Sequence, residues 1–472
     1  MDKHSIELYK RALSEGKEAV YNIRVMVVGH YGVGKTTLTK RLLDEDVDIN
    51  KRESTNGIDV HVKRCKVSLE TGQWETVAKD QKVGTVCNRL LNLLKKTLTT
   101  EKEVVVIENE STVGAVNEEF EVVDEDTSIE SNSQDITEKN EGAEVVCTEP
   151  EPKMKVTLTP LEVENVTNEN FQPLQDTKEE NILYHLKALI EEVQHSGSTD
   201  NLNMADVSIW DFAGQFVFYA THQVFLSRRA VYLLVTDVSK SMEDMVKDDE
   251  CFQDSIGVKH WKISEFANFW LNSIHEFCGS SDESGPPVLL VGTRADKIKQ
   301  LFPEKTKQMA IINNYFYELR SLFHKESISH LIEEDFPVDN TIKNGSIDLL
   351  KKKIVESAKA QSYWGEIIPA KWITLENSIA ILKNEGSKVL HIDMLRRLNN
   401  TLPVPIETDE VLKLFLRFHH ESGNILYYSD DNLGDTIVLD PQWLIDAFKS
   451  IITARMFCCK SRKIFRKFGK MF

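Results

Sequence analysis

The stretch that decides the fold is Gly29-His30-Tyr31-Gly32-Val33-Gly34-Lys35-Thr36. An apolar run at 23–28 precedes it and a helical pattern at 37–43 follows it. Strand, glycine turn and helix in this order are the context of a phosphate-binding loop. Glycines let the backbone approach a polyphosphate closely, and the N–H groups then point inward at the start of the helix. The pattern therefore predicts that this loop binds phosphates.

Two side chains of the loop have separate predicted roles. Lys35 brings a positive charge to the β- and γ-phosphates, and Thr36 offers a hydroxyl to Mg²⁺. The alternative is a glycine turn that binds nothing, which fits less well because all three fixed positions and both flanks are present. The other predicted phosphate contacts are Gly29, His30, Tyr31, Gly32, Val33, Gly34 and Thr37.

The negative charge of the chain is concentrated in one segment. The chain has 472 residues and a net charge of −18, and residues 101–180 alone contain 23 acidic and five basic residues. The middle of this segment, 101–178, has almost no aromatic residues, so we predict that it is disordered. The rest of the chain is near neutral, which argues against binding to nucleic acid through bulk charge.

Cysteine usage and the chain ends bear on localisation. The chain has seven cysteines, an odd number, and no pair of them has the spacing of metal ligands. We therefore predict a reducing, cytoplasmic environment. Neither a signal peptide nor an apolar run of membrane-spanning length is visible. The tail at 453–472 holds seven basic residues, five aromatic or aliphatic anchors and Cys458-Cys459, so we expect either a membrane-surface anchor or an accidental chain end.

Strands and helices alternate on both sides of the acidic segment. Apolar runs at 206–212, 231–235 and 288–292 are separated by helical patterns, which predicts a mostly parallel sheet with helices on both faces. Patterns at 83–98 and 182–193 predict one basic and one acidic helix, which either pair with each other or lie independently on the surface. From 363 onward, three helical patterns and a hairpin predict a winged-helix-like segment, without the basic recognition helix of a DNA-binding version.

Several further motifs stand at the ends of the predicted strands. Asp211 ends one strand and can hold the Mg²⁺ shell, Gly214 can donate a backbone N–H to a γ-phosphate, and Gln215 stands where an amide can orient water. Asp296, in Thr293-Arg294-Ala295-Asp296, can accept two hydrogen bonds from guanine. Thr55, 20 residues after Lys35, can offer a second hydroxyl to Mg²⁺. Each motif alone is weak evidence for a nucleotide site, but all of them in this order are strong evidence.

This set of motifs resembles the Ras-like GTPase module, and within it the Roc–COR (Roco) family. The segment from 363 onward supports the same family, because the stretch Leu439-Asp440-Pro441-Gln442-Trp443-Leu444 looks like the COR domain that follows Roc. The resemblance implies an α/β P-loop GTPase with a mostly parallel six-stranded sheet, which binds GTP or GDP with Mg²⁺ as a signalling switch. It also implies that Asp339 and Asn340 form the last guanine loop. Arg294 replaces the usual Lys, and Asp339 replaces the usual Ser.

The resemblance divides the chain into six parts. The expected boundaries are a lead-in at 1–22, a first Roc part at 23–74, an insert at 75–205, a second Roc part at 206–360, a partial COR domain at 363–452, and a basic tail at 453–472. Because the family dimerises largely through a COR half that is absent from this sequence, we expect the chain alone to be a monomer.

Two functional hypotheses remain open. In the first, the protein is a slow GTPase in which Lys35 and Gln215 act in hydrolysis, because neither Arg228 nor Arg229 is spaced to reach the transferring phosphate. In the second, it is a nucleotide-holding scaffold whose COR domain and acidic loop recruit unidentified signalling proteins. His222, just after the second switch, is expected to contact the COR domain, and a catalytic role is the alternative.

Overall fold

The computed structural model of the chain describes residues 11, 14–48, 55–77, 89, 93, 204–215, 218–246, 261–279, 285–342, 345–430 and 433–451. The acidic middle of the insert, the basic tail, and the helices predicted at 83–98 and 182–193 lie outside these residues, apart from Arg89 and Leu93.

The described strands fall into three sheets. A seven-stranded sheet has the order β4-β3-β5-β2-β6-β7-β8, where β2 is Asn22–Gly29, β3 Ile58–Ser68, β4 Trp74–Thr76, β5 Met204–Phe212, β6 Val231–Asp237, β7 Val288–Thr293 and β8 Leu331–Pro337. The two smaller sheets contain β1 (Lys17–Val20) with β9 (Glu366–Pro369), and β10 (Val389–His391) with β11 (Leu426–Tyr427) and β12 (Thr436–Val438).

The large sheet is mostly parallel, as the sequence predicts. Strands β5, β2, β6, β7 and β8 run parallel, whereas β3 is antiparallel to β5. The sheet has seven strands where six were expected, because the short strand β4 pairs with β3 at its outer edge. The central strand β2 is buried along nearly its whole length, so it reads as a continuous apolar run.

Helices cover both faces of this sheet. In chain order the described helices are α1 (Lys35–Leu42), α2 (Tyr219–His222), α3 (Ile263–Cys278), α4 (Ala295–Leu301), α5 (Lys305–Ser321), α6 (Gly345–Lys359), α7 (Lys371–Asn384), α8 (Ile392–Thr401), α9 (Asp409–Glu421) and α10 (Pro441–Ile451). The core on one face includes residues of α1 and α6, and the core on the other includes residues of α3 and α5. Phe266 and Trp270 of α3 are buried there, as expected from their helical spacing.

The carboxyl-terminal segment has its own apolar core. Helices α7, α8 and α9 pack with the three-stranded sheet of β10, β12 and β11, which agrees with the predicted winged-helix-like arrangement. Strand β1 of the lead-in pairs antiparallel with β9, so the start of the chain is joined to the start of this segment. Among the described helices, none combines the length and apolar character needed to span a membrane.

Candidate functional site

The loop between β2 and α1 has a backbone that two of its glycines make possible. Gly29 has a φ of 144°, and a Cβ there would lie 2.3 Å from the carbonyl oxygen of Val235. Gly34 caps α1 with a φ of 95°, in the left-handed region that favours glycine. The loop therefore turns tightly and presents the N-terminus of α1, an arrangement that favours an anion.

Lys35 lies inside this turn. Its side chain is buried, and Nζ donates hydrogen bonds to the carbonyl oxygens of Gly29 and His30 at 2.8 and 2.9 Å. The ammonium group is thus held above the loop backbone. Its charge is available to a phosphate that enters the turn, because carbonyl dipoles do not neutralise it.

The three residues predicted to hold magnesium meet at one carboxylate. The hydroxyl of Thr36 donates to Oδ2 of Asp211 at 2.6 Å, and the hydroxyl of Thr55 donates to the same oxygen at 3.0 Å. The two hydroxyl oxygens are 2.6 Å apart. Strand β5 places Asp211 at its carboxyl end next to α1, which explains how residues far apart in sequence converge.

The environment of Asp211 fits a divalent cation. The side chain is fully buried, and its Oδ1 accepts no hydrogen bond from the part of the chain that the structure describes. Burial raises the pKa of this carboxyl group to about 6, although the Thr36 hydroxyl and Lys35 oppose the shift. A carboxylate and two hydroxyls within 3.0 Å of one another form an all-oxygen donor set, which suits Mg²⁺.

Gly214 and Gln215 lie against the phosphate loop. A Cβ on Gly214 would come within 2.6 Å of backbone atoms of His30 and Tyr31, so only glycine allows this close approach. Gln215 is buried directly after it. The N–H of Ala213 donates to the carbonyl of Gly57 at 2.7 Å, which joins this segment to the segment that carries Thr55.

The other end of the site is formed by Thr293 and Arg294, at the end of β7. The Thr293 hydroxyl donates to the carbonyl of Val33 at 2.6 Å. Arg294 donates to the carbonyl of Gly32 at 2.5 Å and forms an ion pair with the buried carboxylate of Asp237 at 2.8 Å. Both residues therefore tie the predicted guanine loop to the phosphate loop. Asp296 follows in the first turn of α4 and is half-buried.

The last predicted loop is also attached to the phosphate loop. The Asn340 amide donates to the carbonyl of Gly34 at 3.3 Å. The Asp339 carboxylate accepts from the backbone and hydroxyl of Thr341, and it lies 3.4 Å from Lys299. The carboxylate at position 339 therefore accepts hydrogen bonds from Thr341 within its own loop.

Arg41 is a site residue that the sequence motifs did not reveal. It lies on α1, and its guanidinium donates to the carbonyls of Asn340 and Thr341, both at 3.0 Å. Arg41 thus joins the helix after the phosphate loop to the last guanine loop. Asp237 was also missed, although it ends the apolar strand β6, a position at which the sequence signals the other site residues.

His222 lies outside the reactive part of the site. Its ring is buried and contacts Phe212, Phe218, Tyr219 and Trp270, with the nearest centroid, that of Phe212, at 5.1 Å. The expected contact of His222 with the COR domain stays a prediction, since the described ring contacts of the imidazole all come from the aromatic cluster around α2 and α3. Burial lowers the pKa of His222 to about 3, so the ring is neutral at pH 7.

Arg229 is engaged away from the phosphate loop. Its guanidinium forms ion pairs with Glu366 and Glu421, and the pair with Glu421 spans 2.6 Å. Both partners belong to the carboxyl-terminal segment. Arg228 beside it is exposed. Neither contact directs Arg229 toward the predicted phosphate position, as expected from the sequence.

Comparison with known proteins identifies two domains. Residues 163–296 match the profile described as "Ras of Complex, Roc, domain of DAPkinase", and residues 369–467 match "C-terminal of Roc, COR-A domain". The chain is 27% identical over 275 residues to the probable serine/threonine-protein kinase roco5 of Dictyostelium discoideum, covering 55% of this chain and 8% of that protein.

A second relative and one solved structure extend the comparison. The leucine-rich repeat serine/threonine-protein kinase 1 of Caenorhabditis elegans is 23% identical over 284 residues, covering 56% of this chain and 11% of that protein. The structure of Methanosarcina barkeri Roco2 RocCORdC bound to GDP has a TM-score of 0.43 and 17% identity, covering 92% of this chain and 78% of that one. The chain thus spans about a tenth of the length of these two curated relatives.

The fold and the matched domains define the class: an α/β domain of the P-loop GTPase type, followed by a COR-A domain. The chain belongs to the Roc–COR family, and its Roc domain makes it a GTPase-type signalling module.

Proposed function

We propose that this protein binds GTP and GDP with Mg²⁺ and hydrolyses GTP slowly, as a switch in intracellular signalling. The observation that carries the proposal is the convergence of Thr36 and Thr55 on Asp211. These residues come from three separate motifs, and a purely structural glycine turn would have no need to bring them together.

In this proposal the phosphate loop binds the nucleotide through Lys35 and the backbone N–H groups of residues 29–37. Lys35 exchanges its two carbonyl partners for the β- and γ-phosphates, which are stronger acceptors because they are charged. Thr36, Thr55 and the shell of Asp211 hold Mg²⁺. Bound Mg²⁺ supplies positive charge to the β- and γ-phosphate oxygens.

The base is selected at the opposite end of the site. Asp296 accepts two hydrogen bonds from guanine, which adenine cannot donate in the same geometry. Thr293, Arg294, Asp339 and Asn340 shape the pocket around it. The ties from Arg294 to Gly32 and from Arg41 to Asn340 support this assignment, because they fix the base loops relative to the phosphate loop.

Hydrolysis depends on Gln215. Gly214 packs on the loop backbone, so the amide that follows it is carried to the γ-phosphate side of the site, where it can orient water. Arg229 does not supply positive charge to the transferring phosphate in this proposal, because its guanidinium pairs with Glu366 and Glu421. Without that charge, intrinsic hydrolysis by a related GTPase runs at about 10⁻⁴ to 10⁻³ per second.

The domain boundaries given above belong to the same proposal, with the two Roc parts at 23–74 and 206–360 folding together around the insert. We further propose a cytoplasmic location, which the unpaired cysteine pattern supports. Monomer formation and membrane association through the tail stay predictions.

Single-turnover release of phosphate from GTP by the full chain tests the proposal. The parent should turn over within minutes to hours, Gln215→Leu should bind GTP but turn over more slowly, and Lys35→Ala should bind poorly. A parent that binds GTP and hydrolyses none of it would favour the scaffold hypothesis. Equal affinity for ATP and GTP would contradict the assignment of the base loops.

A further inference from the structure

The last described helix, α10 of the COR-A domain, lies on the strand that follows Thr55. The Gln442 side chain makes two hydrogen bonds to the backbone of β3. Its Oε1 accepts from the N–H of Val60 at 2.9 Å, and its Nε2 donates to the carbonyl of Ile58 at 3.2 Å. A glutamine amide carries both a donor and an acceptor, so it can pair with a strand edge as another strand would.

Among the described strands, none pairs with this edge of β3 at Ile58–Val60. Strand β4 pairs with β3 only from Cys65 to Val67. The opposite edge of Ile58 and Val60 pairs with β5, in the register Ile58 to Phe212 and Val60 to Trp210. Gln442 therefore completes the pairing of the strand segment that lies next to the predicted magnesium site.

Lys449 and Asp446 reinforce the same contact. The Lys449 stem covers Gly57, where an added Cβ would lie 2.7 Å from its Cε. Its ammonium is 3.0 Å from Asp446 and 3.8 Å from Asp59. The Asp446 carboxylate also accepts from Gln442 Nε2 at 2.9 Å, which fixes the orientation of the amide.

Gly57 links this contact to both parts of the magnesium site. It lies two residues after Thr55, and its carbonyl accepts from the N–H of Ala213, which lies two residues after Asp211. The positions of Thr55 and Asp211 thus depend on a backbone segment that α10 holds from outside.

We propose that Gln442 is a positioning residue for Thr55: by pinning Ile58 and Val60, the COR-A domain keeps the Thr55 hydroxyl at the magnesium site and slows nucleotide release. The inference rests on the proposed function, because it concerns the same nucleotide and metal. Its specific consequence is that Gln442 affects only the part of nucleotide retention that requires Mg²⁺.

The test is the release rate of a fluorescently labelled, non-hydrolysable GTP analogue from the full chain, chased with unlabelled GTP, in excess Mg²⁺ and after chelation with EDTA, because the γ-phosphate and Mg²⁺ together order the first switch. Gln442→Met removes both hydrogen bonds at similar volume. Gln361→Met is the matched control, because Gln361 donates one hydrogen bond to Ser357 at the end of α6, within its own segment. Gln442→Glu keeps the acceptor for Val60 but places a carboxylate against the Ile58 carbonyl, and it serves if the methionine variant does not fold.

Both Gln442 variants should release the GTP analogue about three- to tenfold faster than the parent in Mg²⁺, and within about twofold of it in EDTA. The Gln361 control should match the parent in both conditions. Unchanged release in Mg²⁺ would overturn the inference. An equal acceleration in EDTA would also overturn it, because it indicates general loosening. A parent that binds no labelled guanine nucleotide would overturn the proposed function, and this inference with it.

Discussion

The side-chain hydroxyls of Thr36 and Thr55 lie 2.6 Å apart, although one belongs to the phosphate-loop helix and the other to the segment before β3. The two hydroxyl oxygens lie within hydrogen-bond distance of each other, and each also lies within 3.0 Å of the Asp211 carboxylate. These oxygens therefore form one compact cluster, which suits a divalent cation such as Mg²⁺.

The first prediction concerns Thr55. Thr55→Ala should raise the Mg²⁺ concentration needed to slow nucleotide release by about tenfold, because one oxygen of the site is lost. Thr55→Ser keeps the hydroxyl and should behave like the parent. Magnesium titrations of the release of a labelled, non-hydrolysable GTP analogue measure both. If the alanine variant responds to Mg²⁺ as the parent does, Thr55 does not reach the metal.

The second prediction separates water orientation from nucleotide binding. Gln215→Leu should keep GTP affinity within about threefold and slow single-turnover hydrolysis by at least about tenfold, because only the orienting amide is removed. Gln223→Leu replaces a glutamine of the neighbouring segment and should hydrolyse GTP at the parental rate. Parental turnover by Gln215→Leu would mean that another group positions the water.

Base selection gives the third prediction. Asp296→Asn should shift nucleotide preference from GTP toward xanthosine triphosphate, whose 2-oxo group requires a donor. Because the asparagine cannot accept both hydrogen bonds from guanine, GTP binding should weaken by about two orders of magnitude. Asp348→Asn, at an exposed position on α6, is the control. Competition of each triphosphate against labelled GDP is the measurement, and unchanged selectivity of Asp296→Asn would reject this role.

Sequence patterns predicted the parts of the molecule that are local. The phosphate loop, Asp211, Gln215 and Asp296 follow apolar strands at characteristic spacings, so their positions at one edge of the sheet could be inferred. The contacts that fix these loops relative to one another could not be inferred from the sequence. Arg41 and Asn340 are 299 residues apart, Gln442 and Val60 are 382 apart, and neither pair leaves a periodic signal in the chain.

The insert illustrates the same limit. The basic helix at its start was expected either to pair with the acidic helix at its end or to lie independently. Residues 182–193 lie outside the described residues, so both alternatives stay predictions. Among the described residues, Arg89 forms ion pairs with Glu18 of β1 and Glu376 of α7. The Glu376 carboxylate lies 3.3 Å from His419, and Arg89 holds its pKa well below the usual range despite burial. Charge composition predicted a basic helix at this position but not the two partners of Arg89.

Arg229 provides the fourth prediction. Arg229→Ala should lower the free energy of unfolding by about 1–3 kcal/mol, because it leaves Glu366 and Glu421 of the carboxyl-terminal segment without their shared cation. The rate of GTP hydrolysis should stay within about twofold of the parent, since Arg229 does not face the phosphate loop. Arg228→Ala, its exposed neighbour, should change neither quantity. Urea denaturation measures the free energy of unfolding, and single-turnover assays measure the rate of GTP hydrolysis. A large loss of turnover in Arg229→Ala but not in Arg228→Ala would identify Arg229 as a catalytic residue.

The fifth prediction is a pH dependence of stability from His222. Its pKa is about 3 in the folded protein against 6.5 for an ordinary histidine, because burial and the nearby Lys35 disfavour the charged ring. The unfolded chain therefore binds a proton more readily below pH 6.5. Stability from this group is complete above about pH 7 and falls as the pH drops through 6.5 toward 3, by about 1 kcal/mol per pH unit.

Replacing His222 tests this prediction through the slope of stability against pH. His222→Phe keeps an aromatic ring between Phe218 and Trp270 and cannot take up a proton. Between pH 6.5 and 5, its free energy of unfolding should fall less steeply than that of the parent, although buried His30 and half-buried His420, each with a pKa lowered to about 4, keep part of the slope. Urea denaturation at several pH values gives the slopes, and identical slopes for His222→Phe and the parent would show that His222 does not resist protonation in the folded protein.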